Sequence, residues 1–258
     1  MQYLESTHNE RAQQMRALRL GKARRETGLF LVEGVKLCGE ALACGLAIDC
    51  LFVEKGQEDS VQVQALMQAA NRCYLVHRRV LESVCETKTP QPLVLSAKIP
   101  EEKPLLYPQV ALDGVQDPGN LGAILRTCDA AGFSAALGEG CADPFSPKAV
   151  RAAMGSMFRV PFGKRPDLAA YLRAQRERGV EVLVSALDGE NFFERGPLPT
   201  ETILVIGSEG RGVSQAVRQT ASHVYRLPMR GGAESLNASV AAGVLIYELY
   251  RGLIMNEV

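Results

Sequence analysis

The feature that most constrains the fold is a regular alternation of apolar, strand-like runs with helical patterns over the second half of the chain. The strand-like runs lie near residues 109–113, 134–137, 159–162, 181–186, 203–206 and 223–227. Helical patterns separate most of them, and a last helix is predicted from about Leu236 to Leu253. Such alternation is typical of a mainly parallel sheet covered by helices on both faces. The sequence therefore predicts an α/β fold for this half.

A shorter alternation precedes it and predicts a small α/β domain of its own. Its strand-like stretches and the helical patterns between them lie at 50–53, 61–71, 73–76, 78–85 and 93–95. A proline-rich stretch with a short charge cluster then follows, which is typical of a linker. The predicted organisation is a first domain at 1–96, a linker at 97–108 and a second domain at 109–258.

The charges of the chain balance, with 29 basic and 29 acidic residues. A net charge of zero argues against nucleic-acid binding through bulk charge, but it leaves room for a local basic patch. The first thirty residues supply a candidate patch, consisting of Arg11, Arg16, Arg19, Lys22, Arg24 and Arg25. By itself this pattern is more typical of a solvated amphipathic helix, so an RNA-binding interpretation depends on the motifs described below.

Seven cysteines are spread along the chain without a CxxC pair, and several lie in apolar runs. Buried, reduced thiols fit this pattern better than disulfides or zinc ligands, and no cluster of His, Cys and Asp has the spacing of a metal site. The N-terminus has no apolar signal region, and no apolar run reaches membrane-spanning length. We therefore expect a cytoplasmic protein without a metal.

The segment at 113–133 carries the first sign of a binding site. A strand ending near Val115 is followed by Asp-Pro-Gly at 117–119 and then by a helix, for which Asn120 is a suitable N-cap. Arg126 lies in the middle of this helix, outside its apolar stripe. Helix N-termini and guanidinium groups both suit phosphate, so the segment predicts an anionic ligand.

Two later segments make this prediction more specific. Residues 203–214 read ILVIGSEGRGVS, a buried strand followed by a turn with three glycines around Glu209. Residues 227–242 read LPMRGGAESLNASVAA, a Gly-Gly loop followed by Ser-Leu-Asn at the start of the final helix. The glycine run is not GxGxxG, so a Rossmann dinucleotide site fits poorly. Together with 113–133, these segments closely resemble, in the same order, the three motifs of the SpoU (TrmH-like) RNA 2′-O-ribose methyltransferases of the SPOUT superfamily.

The resemblance implies a SPOUT α/β catalytic domain with a parallel sheet and a C-terminal trefoil knot, although nothing in the local sequence shows a knot. It also implies S-adenosylmethionine (S-adenosyl-L-methionine) as methyl donor, RNA as substrate and a homodimer formed through the catalytic domain. The first domain, with spaced basic residues before GLFLVEGVKLCGEAL, resembles the substrate-binding domain often fused in front of SpoU catalytic domains. That domain is similar to the ribosomal L30e/L7Ae RNA-binding fold. Because the family's large-subunit rRNA enzymes carry such a domain, 23S ribosomal RNA is expected in preference to tRNA.

The matched motifs also imply which residues are functional. The expected catalytic residues are Arg126, Asn120, Glu209, Ser235 and Asn237. The residues expected to contact the cofactor are Ile206, Gly207, Ser208, Gly210, Leu227, Pro228, Met229, Ser235 and Leu236. RNA contacts are expected from the basic residues of the first thirty and, in the segment at 146–162, from Lys148 and Arg151.

Arg126 matches the motif arginine that the family places at the ribose. A guanidinium is essentially always protonated, so a general-base role is hard to defend. We expect Arg126 to hold the adjacent phosphate and to stabilise the developing 2′-alkoxide, with a phosphate oxygen able to accept the proton.

Three other functions stay open at this point: a tRNA 2′-O-methyltransferase of the same family, an RNA base methyltransferase on the same general fold, and a non-catalytic RNA-binding module. The presence of all five expected catalytic residues disfavours the module. Methylation that blocks Watson–Crick pairing, instead of conferring resistance to alkaline cleavage, would indicate a base methyltransferase.

Overall fold

A computed structural model describes the backbone of residues 1–256 and the side chains of residues 1–253. The chain divides into two compact units. The first is Met1–Glu101 with Asp143–Arg159, and the second is Glu102–Ala142 with the chain from Val160 onward. In chain order the helices and strands are β1 (Gln2–Leu4), α1 (Glu10–Ala17), α2 (Gly21–Thr27), β2 (Leu29–Glu33), α3 (Val35–Ala43), β3 (Ile48–Glu54), α4 (Val61–Ala69), β4 (Arg72–Val76), α5 (Arg78–Val84), β5 (Leu93–Lys98), β6 (Gln109–Asp113), α6 (Pro118–Ala131), β7 (Ser134–Leu137), α7 (Pro147–Ala153), β8 (Phe162–Lys164), α8 (Leu168–Glu177), β9 (Glu181–Asn191), β10 (Thr202–Gly207), α9 (Gln215–Arg218), β11 (His223–Arg226) and α10 (Ala238–Asn256).

The first unit is built on a mixed sheet in the order β1-β4-β3-β5-β2. β4 is parallel to β1 and β3, whereas β5 is antiparallel to β2 and β3. Phe52, Leu81 and Val94 are fully buried in one core cluster of this unit. The predicted small α/β domain therefore has its own core, and its last strand extends through Lys98, which shortens the predicted linker from its N-terminal side.

The segment at 143–159 belongs to this first unit and not to the second, where the sequence placed it. Asp143 accepts hydrogen bonds from Nε and Nη2 of Arg24 at 2.9 and 2.7 Å. The ring of Phe30 lies 5.1 Å from that of Phe145 and 6.3 Å from that of Phe158, centroid to centroid. These contacts join residues far apart in the chain, so local sequence patterns could not indicate them.

The second unit is built on a parallel sheet in the order β11-β9-β10-β6-β7-β8. β10 lies between β9 and β6, and both its faces are covered, since Ile203, Leu204 and Val205 are at most 1% exposed. This double burial explains the continuous apolar run of β10. The α/β prediction with a parallel sheet is thus confirmed, while the trefoil knot stays a prediction.

The strand order changes direction beside β6. The chain continues from β6 to β7 and β8 on one side, whereas β9, β10 and β11 lie on the other. In open α/β sheets, ligands bind beyond the carboxyl ends of the strands at such a switch point. The loops after β6 and β10 are therefore the expected walls of a binding site, and they contain the first two sequence motifs.

The start of α6 differs from the prediction by one helical turn. Asp117, not Asn120, is the N-cap, because its carboxylate accepts a hydrogen bond from the Asn120 N–H at 2.9 Å and Pro118 takes the first helical position. Proline suits that position, since it needs no amide hydrogen there. Asn120 therefore lies inside the first turn, and its side chain is available for tertiary contacts.

The final helix, α10, starts two residues later than predicted. Asn237 is its cap, with Oδ1 accepting from the Ser239 N–H at 2.9 Å. The helix packs against α6. No helix in the described part of the chain is long and apolar enough to cross a membrane.

Candidate active site

The loops after β6 and β10 are joined directly at the carboxyl end of the sheet. The Asp113 carboxylate, at the end of β6, accepts a hydrogen bond from the Ser214 N–H at 2.6 Å. Ser214 closes the glycine turn that begins at Gly207. This bond therefore fixes the turn relative to the strand that leads into α6.

The turn itself is tight and depends on glycine at one position. Ser208 and Gly212 exchange two backbone hydrogen bonds, at 3.1 and 2.9 Å. A Cβ atom on Gly207 would lie 2.2 Å from the carbonyl carbon of Gly212, which no real structure tolerates. A Cβ on Gly210 would meet nothing within 4 Å. The turn thus requires glycine at position 207, whereas at position 210 the space beside the backbone is open.

A cavity of about 410 Å³ opens beside this turn. Most of the predicted cofactor residues line it: Ile206, Gly207, Ser208, Gly210, Leu227, Met229, Ser235 and Leu236. Pro228 is not among the lining residues. The size lies within the range of small-molecule sites, which typically combine apolar walls with a few polar groups.

The cavity also contains an ion pair that the sequence did not indicate. Asp188, near the end of β9, and Arg218, on α9, both line the cavity. Their side chains pair in a bidentate manner, with nitrogen–oxygen distances of 2.9 and 2.8 Å. The guanidinium holds the pKa of the Asp188 carboxyl below its ordinary value. Asp188 and Arg218 are 30 positions apart in the chain, so the local sequence offered no signal for this pair.

Next to the cavity, the polar residues of the three motifs form one hydrogen-bonded cluster. Asn120 Nδ2 donates to Glu209 Oε1 at 2.5 Å. Asn237 Nδ2 donates to Asn120 Oδ1 at 3.0 Å. The Ser239 hydroxyl lies 2.6 Å from Asn237 Oδ1 and 3.2 Å from Asn120 Oδ1. Three of the five predicted catalytic residues are therefore in contact, and Ser239 joins them as a residue that the sequence reading missed.

The other two predicted catalytic residues lie outside this cluster. Ser235 is exposed and lines the cavity, but it makes no side-chain hydrogen bond to the cluster in the described residues. Arg126 is exposed on α6, two turns beyond the N-cap region, and makes no hydrogen bond or ion pair in the described part of the chain. An unpaired guanidinium on the helix that also carries Asn120 is suited to bind an anion supplied from outside.

The predicted RNA-binding residues fall into distinct groups. Arg19, Lys22 and Arg25 are exposed, as is Lys148, while Arg11 and Arg16 are partly buried. The expectation that Arg24 contacts RNA is wrong. Its side chain is 5% exposed and is bonded to Asp143, so it stabilises the first unit and cannot contact RNA.

Arg151 is also engaged within the first unit. It pairs with Glu33 at 3.5 Å and with Glu86 at 3.0 Å, and about a third of its side chain is exposed. Only this exposed part remains for an RNA contact.

The cysteines carry no chemistry for this site. All seven are free. Burial raises the pKa of the Cys50, Cys85 and Cys128 thiols to about 12, so these thiols stay protonated and unreactive.

Comparison with known proteins agrees with this geometry. The model of the SpoU rRNA methylase family matches residues 108–247, and that of an MRM3-like substrate-binding domain matches residues 9–95. The chain is 36% identical over 251 residues to the 23S rRNA (guanosine(2553)-2′-O)-methyltransferase RlmP of Bacillus subtilis, covering 96% of this chain and 99% of the relative.

Two solved structures show how much of this chain is similar to known proteins. An S-adenosylmethionine-bound rRNA methyltransferase from Sinorhizobium meliloti is 32% identical, with a TM-score of 0.87 and 98% of both chains covered. A structure concerned with 2′-OH methylation of C/U34 on tRNA is 31% identical, with a TM-score of 0.53, and covers 57% of this chain and 96% of its own.

The chain belongs to the SpoU rRNA methylase family. It is therefore an enzyme, an RNA 2′-O-ribose methyltransferase that uses S-adenosylmethionine, as the three motifs implied. The cavity fits this cofactor, because apolar side chains such as Leu227 and Leu236 can enclose an adenine ring and the open backbone at Gly210 permits close approach.

Proposed function

We propose that this protein methylates the 2′-hydroxyl of a guanosine in 23S ribosomal RNA. The observation that carries the proposal is the full-length likeness to RlmP, which covers 96% of this chain and includes both units. The tRNA-related structure, by contrast, covers 57% of this chain, so it lacks an equivalent of much of the remainder. A recognition domain shared with a ribosomal RNA enzyme supports ribosomal RNA over tRNA as the substrate.

In this proposal the cofactor supplies an electrophilic methyl group, and the protein supplies position and charge. The glycine turn and the loop at 227–237 hold the cofactor in the cavity. Arg126 binds the phosphate beside the target ribose and stabilises negative charge that develops on the 2′-oxygen. The cluster around Asn120 and Glu209 lies beside the cavity, and Glu209 is one of the residues that line it.

The experiment that tests the function is to map alkali-resistant 2′-O-methyl positions in total RNA from a strain that lacks this gene. A single site should lose its resistance, and the purified protein with S-adenosylmethionine should restore it on RNA from that strain. Loss of a tRNA site would favour the tRNA alternative. If the deletion strain instead lost a base modification that blocks Watson–Crick pairing, and its alkali-resistant sites were unchanged, the protein would be a base methyltransferase.

We also propose that the enzyme works in the cytoplasm. Seven free cysteines in the described residues, four of them buried, fit a reducing compartment, and ribosomal RNA is the proposed substrate. Fractionation that places the native protein with ribosomal precursors would support this location.

The exposed basic residues of the first unit are proposed to contact RNA phosphates. Replacing Arg19 and Arg25 with glutamine should weaken RNA binding and make it less dependent on salt. Each lost phosphate contact lowers the slope of log affinity against log salt by about 0.7 for a single strand and about 0.9 for a DNA-like duplex. Fluorescence anisotropy over a range of salt concentrations measures this slope. Substitution is preferable to deleting the unit, because deletion would remove the partners of 143–159.

A matched control is available on α8 and at the residue that directly follows it. Arg173 and Arg178 are likewise exposed, so replacing both with glutamine removes the same charge from another surface. The control variant should bind RNA with the slope of the unchanged protein. Equal slopes for both double variants would refute a specific role for Arg19 and Arg25.

We propose that the enzyme is a homodimer formed through α10 of the catalytic unit. The helix buries Ala242, Leu245, Ile246 and Leu249 within its own unit, yet Val240, Val244, Tyr247 and Tyr250 are between 37% and 51% exposed. Phe193, also half exposed, lies beside them. A contiguous exposed aromatic patch of this kind is typical of an interface core.

The dimer proposal predicts that lysine at Val244 and Tyr247 produces a monomer at micromolar concentration, because two charges would be buried without partners. Light scattering coupled to gel filtration measures the mass. Lysine at Leu20 and Val61, which are exposed apolar residues of the first unit, is the control and should leave the mass unchanged. A wild-type monomer, or a dimeric Val244→Lys/Tyr247→Lys variant, would refute the proposed interface.

A further inference from the structure

Methylation of a ribose hydroxyl releases a proton, and some group beside the cofactor cavity must accept it. Arg126 is unsuitable, because its guanidinium stays protonated and has no acceptor. From the sequence, a phosphate oxygen of the substrate is expected to accept it. The arrangement of carboxylates around the cavity indicates an acceptor within the protein.

Most carboxylates near this site have other partners. Asp113 accepts from the Ser214 N–H, Asp117 caps α6, and Asp188 is paired with Arg218. Glu209 differs from all of them. It lines the cavity, makes no ion pair in the described part of the chain, and accepts a side-chain hydrogen bond only at Oε1, from Asn120.

The asparagine that holds Glu209 is itself held in one orientation. Asn120 Oδ1 accepts from Asn237 Nδ2 and lies within donating distance of the Ser239 hydroxyl. The Asn237 amide is oriented by the Ser239 N–H, which donates to its Oδ1 at 2.9 Å, so its NH₂ group faces Asn120. The carbonyl oxygen of Asn120 therefore points toward Asn237 and its NH₂ group toward Glu209. Glu209 Oε1 is thereby anchored, while Oε2 has no hydrogen-bond donor among the described residues.

We propose that Glu209 is the proton acceptor of the reaction, and this inference rests on the proposed 2′-O-methyltransferase function. As the 2′-oxygen forms its bond to the methyl carbon, the bond between that carbon and the cofactor's sulfur breaks and its electron pair stays on sulfur. Glu209 Oε2 takes the 2′-hydroxyl proton, which leaves a 2′-O-methyl ribose, S-adenosylhomocysteine and a protonated carboxyl that water regenerates. Asn120, Asn237 and Ser239 act as positioning residues.

Glu209→Gln is the decisive variant, because glutamine keeps the oxygen that Asn120 binds but cannot accept the proton. General-base catalysis contributes roughly 100- to 10,000-fold in rate, so kcat should fall by about that factor while KM for RNA changes little. Calorimetry should show unchanged affinity for S-adenosylhomocysteine. Glu194→Gln is a matched control, since Glu194 also accepts from an asparagine amide at 2.5 Å and does not line the cavity.

Chemical rescue separates proton acceptance from positioning. In Glu209→Ala, added formate or acetate should restore part of the lost rate, because a small carboxylate can occupy the vacated space. The same anions should not rescue Asn120→Ala, in which the carboxylate is present but unanchored. Near-wild-type turnover of Glu209→Gln, or a loss in Glu209→Ala that no carboxylate reverses, would overturn the inference. If the wild-type protein methylated no RNA, the proposed function would fail instead.

Discussion

Replacing Arg126 with lysine is expected to lower the rate of methyl transfer by roughly 100- to 1000-fold, the usual cost of losing a group that stabilises developing negative charge. Lysine keeps the positive charge but loses the planar pair of donors that can bind a phosphate and a 2′-oxygen together. Because Arg126 does not line the cavity, affinity for S-adenosylhomocysteine should stay the same. Single-turnover methylation and calorimetry measure the two quantities separately.

The structure makes this substitution a clean test. Arg126 is exposed and has no partner in the described part of the chain, so its replacement should leave the free energy of unfolding almost unchanged. Arg173→Lys, on the exposed face of α8, serves as the control and should retain full activity. Wild-type turnover in Arg126→Lys would mean that charge alone is sufficient at this position.

Local patterns predicted the fold of the second unit well, because its central strands β6, β7 and β10 are mainly apolar and each motif lies at or directly after the end of a strand. The run from Ile203 to Ile206 is buried on both faces, and the glycines after it form the turn that the cavity needs. The three motifs lie at the carboxyl ends of strands or at the start of a helix. Parallel pairing brings these ends to one edge of the sheet, so the sequence order was enough to assemble most of the site.

The features of the site that could not be predicted from the sequence depend on contacts between residues far apart in the chain. Arg24 looked like its basic neighbours, yet Asp143 binds it 119 positions away and removes it from the surface. Asp188 and Arg218 meet only because α9 folds back beside the end of β9. Ser239 belongs to the polar cluster through a contact with Asn120, again 119 positions distant. Residue type and local spacing carry no information about such partners.

The role of Gly207 shows how the structure changes the reason for a prediction. From the sequence, Gly207 is expected to contact the cofactor, so a side chain at this position is expected to block binding by filling space that the cofactor needs. In the structure any Cβ at Gly207 collides with the backbone of Gly212 and Val213, at 2.2 and 2.3 Å, so the turn itself must move. Loss of binding in a Gly207 variant would therefore report a damaged turn and would not by itself locate the cofactor.

A pair of alanine variants resolves this ambiguity. Gly207→Ala should lower the free energy of unfolding by about 1–3 kcal/mol, as overpacking usually does. The displaced turn should also weaken S-adenosylhomocysteine binding at least about tenfold, which corresponds to about 1.4 kcal/mol. Gly210→Ala should leave stability unchanged, because its methyl group meets no atom within 4 Å. We expect it to weaken binding nevertheless, because Gly210 lines the cavity and the substitution adds a methyl group to a backbone that the cofactor approaches closely. Thermal unfolding and calorimetry measure the two effects, and wild-type affinity in Gly210→Ala would show that the cofactor does not contact this turn.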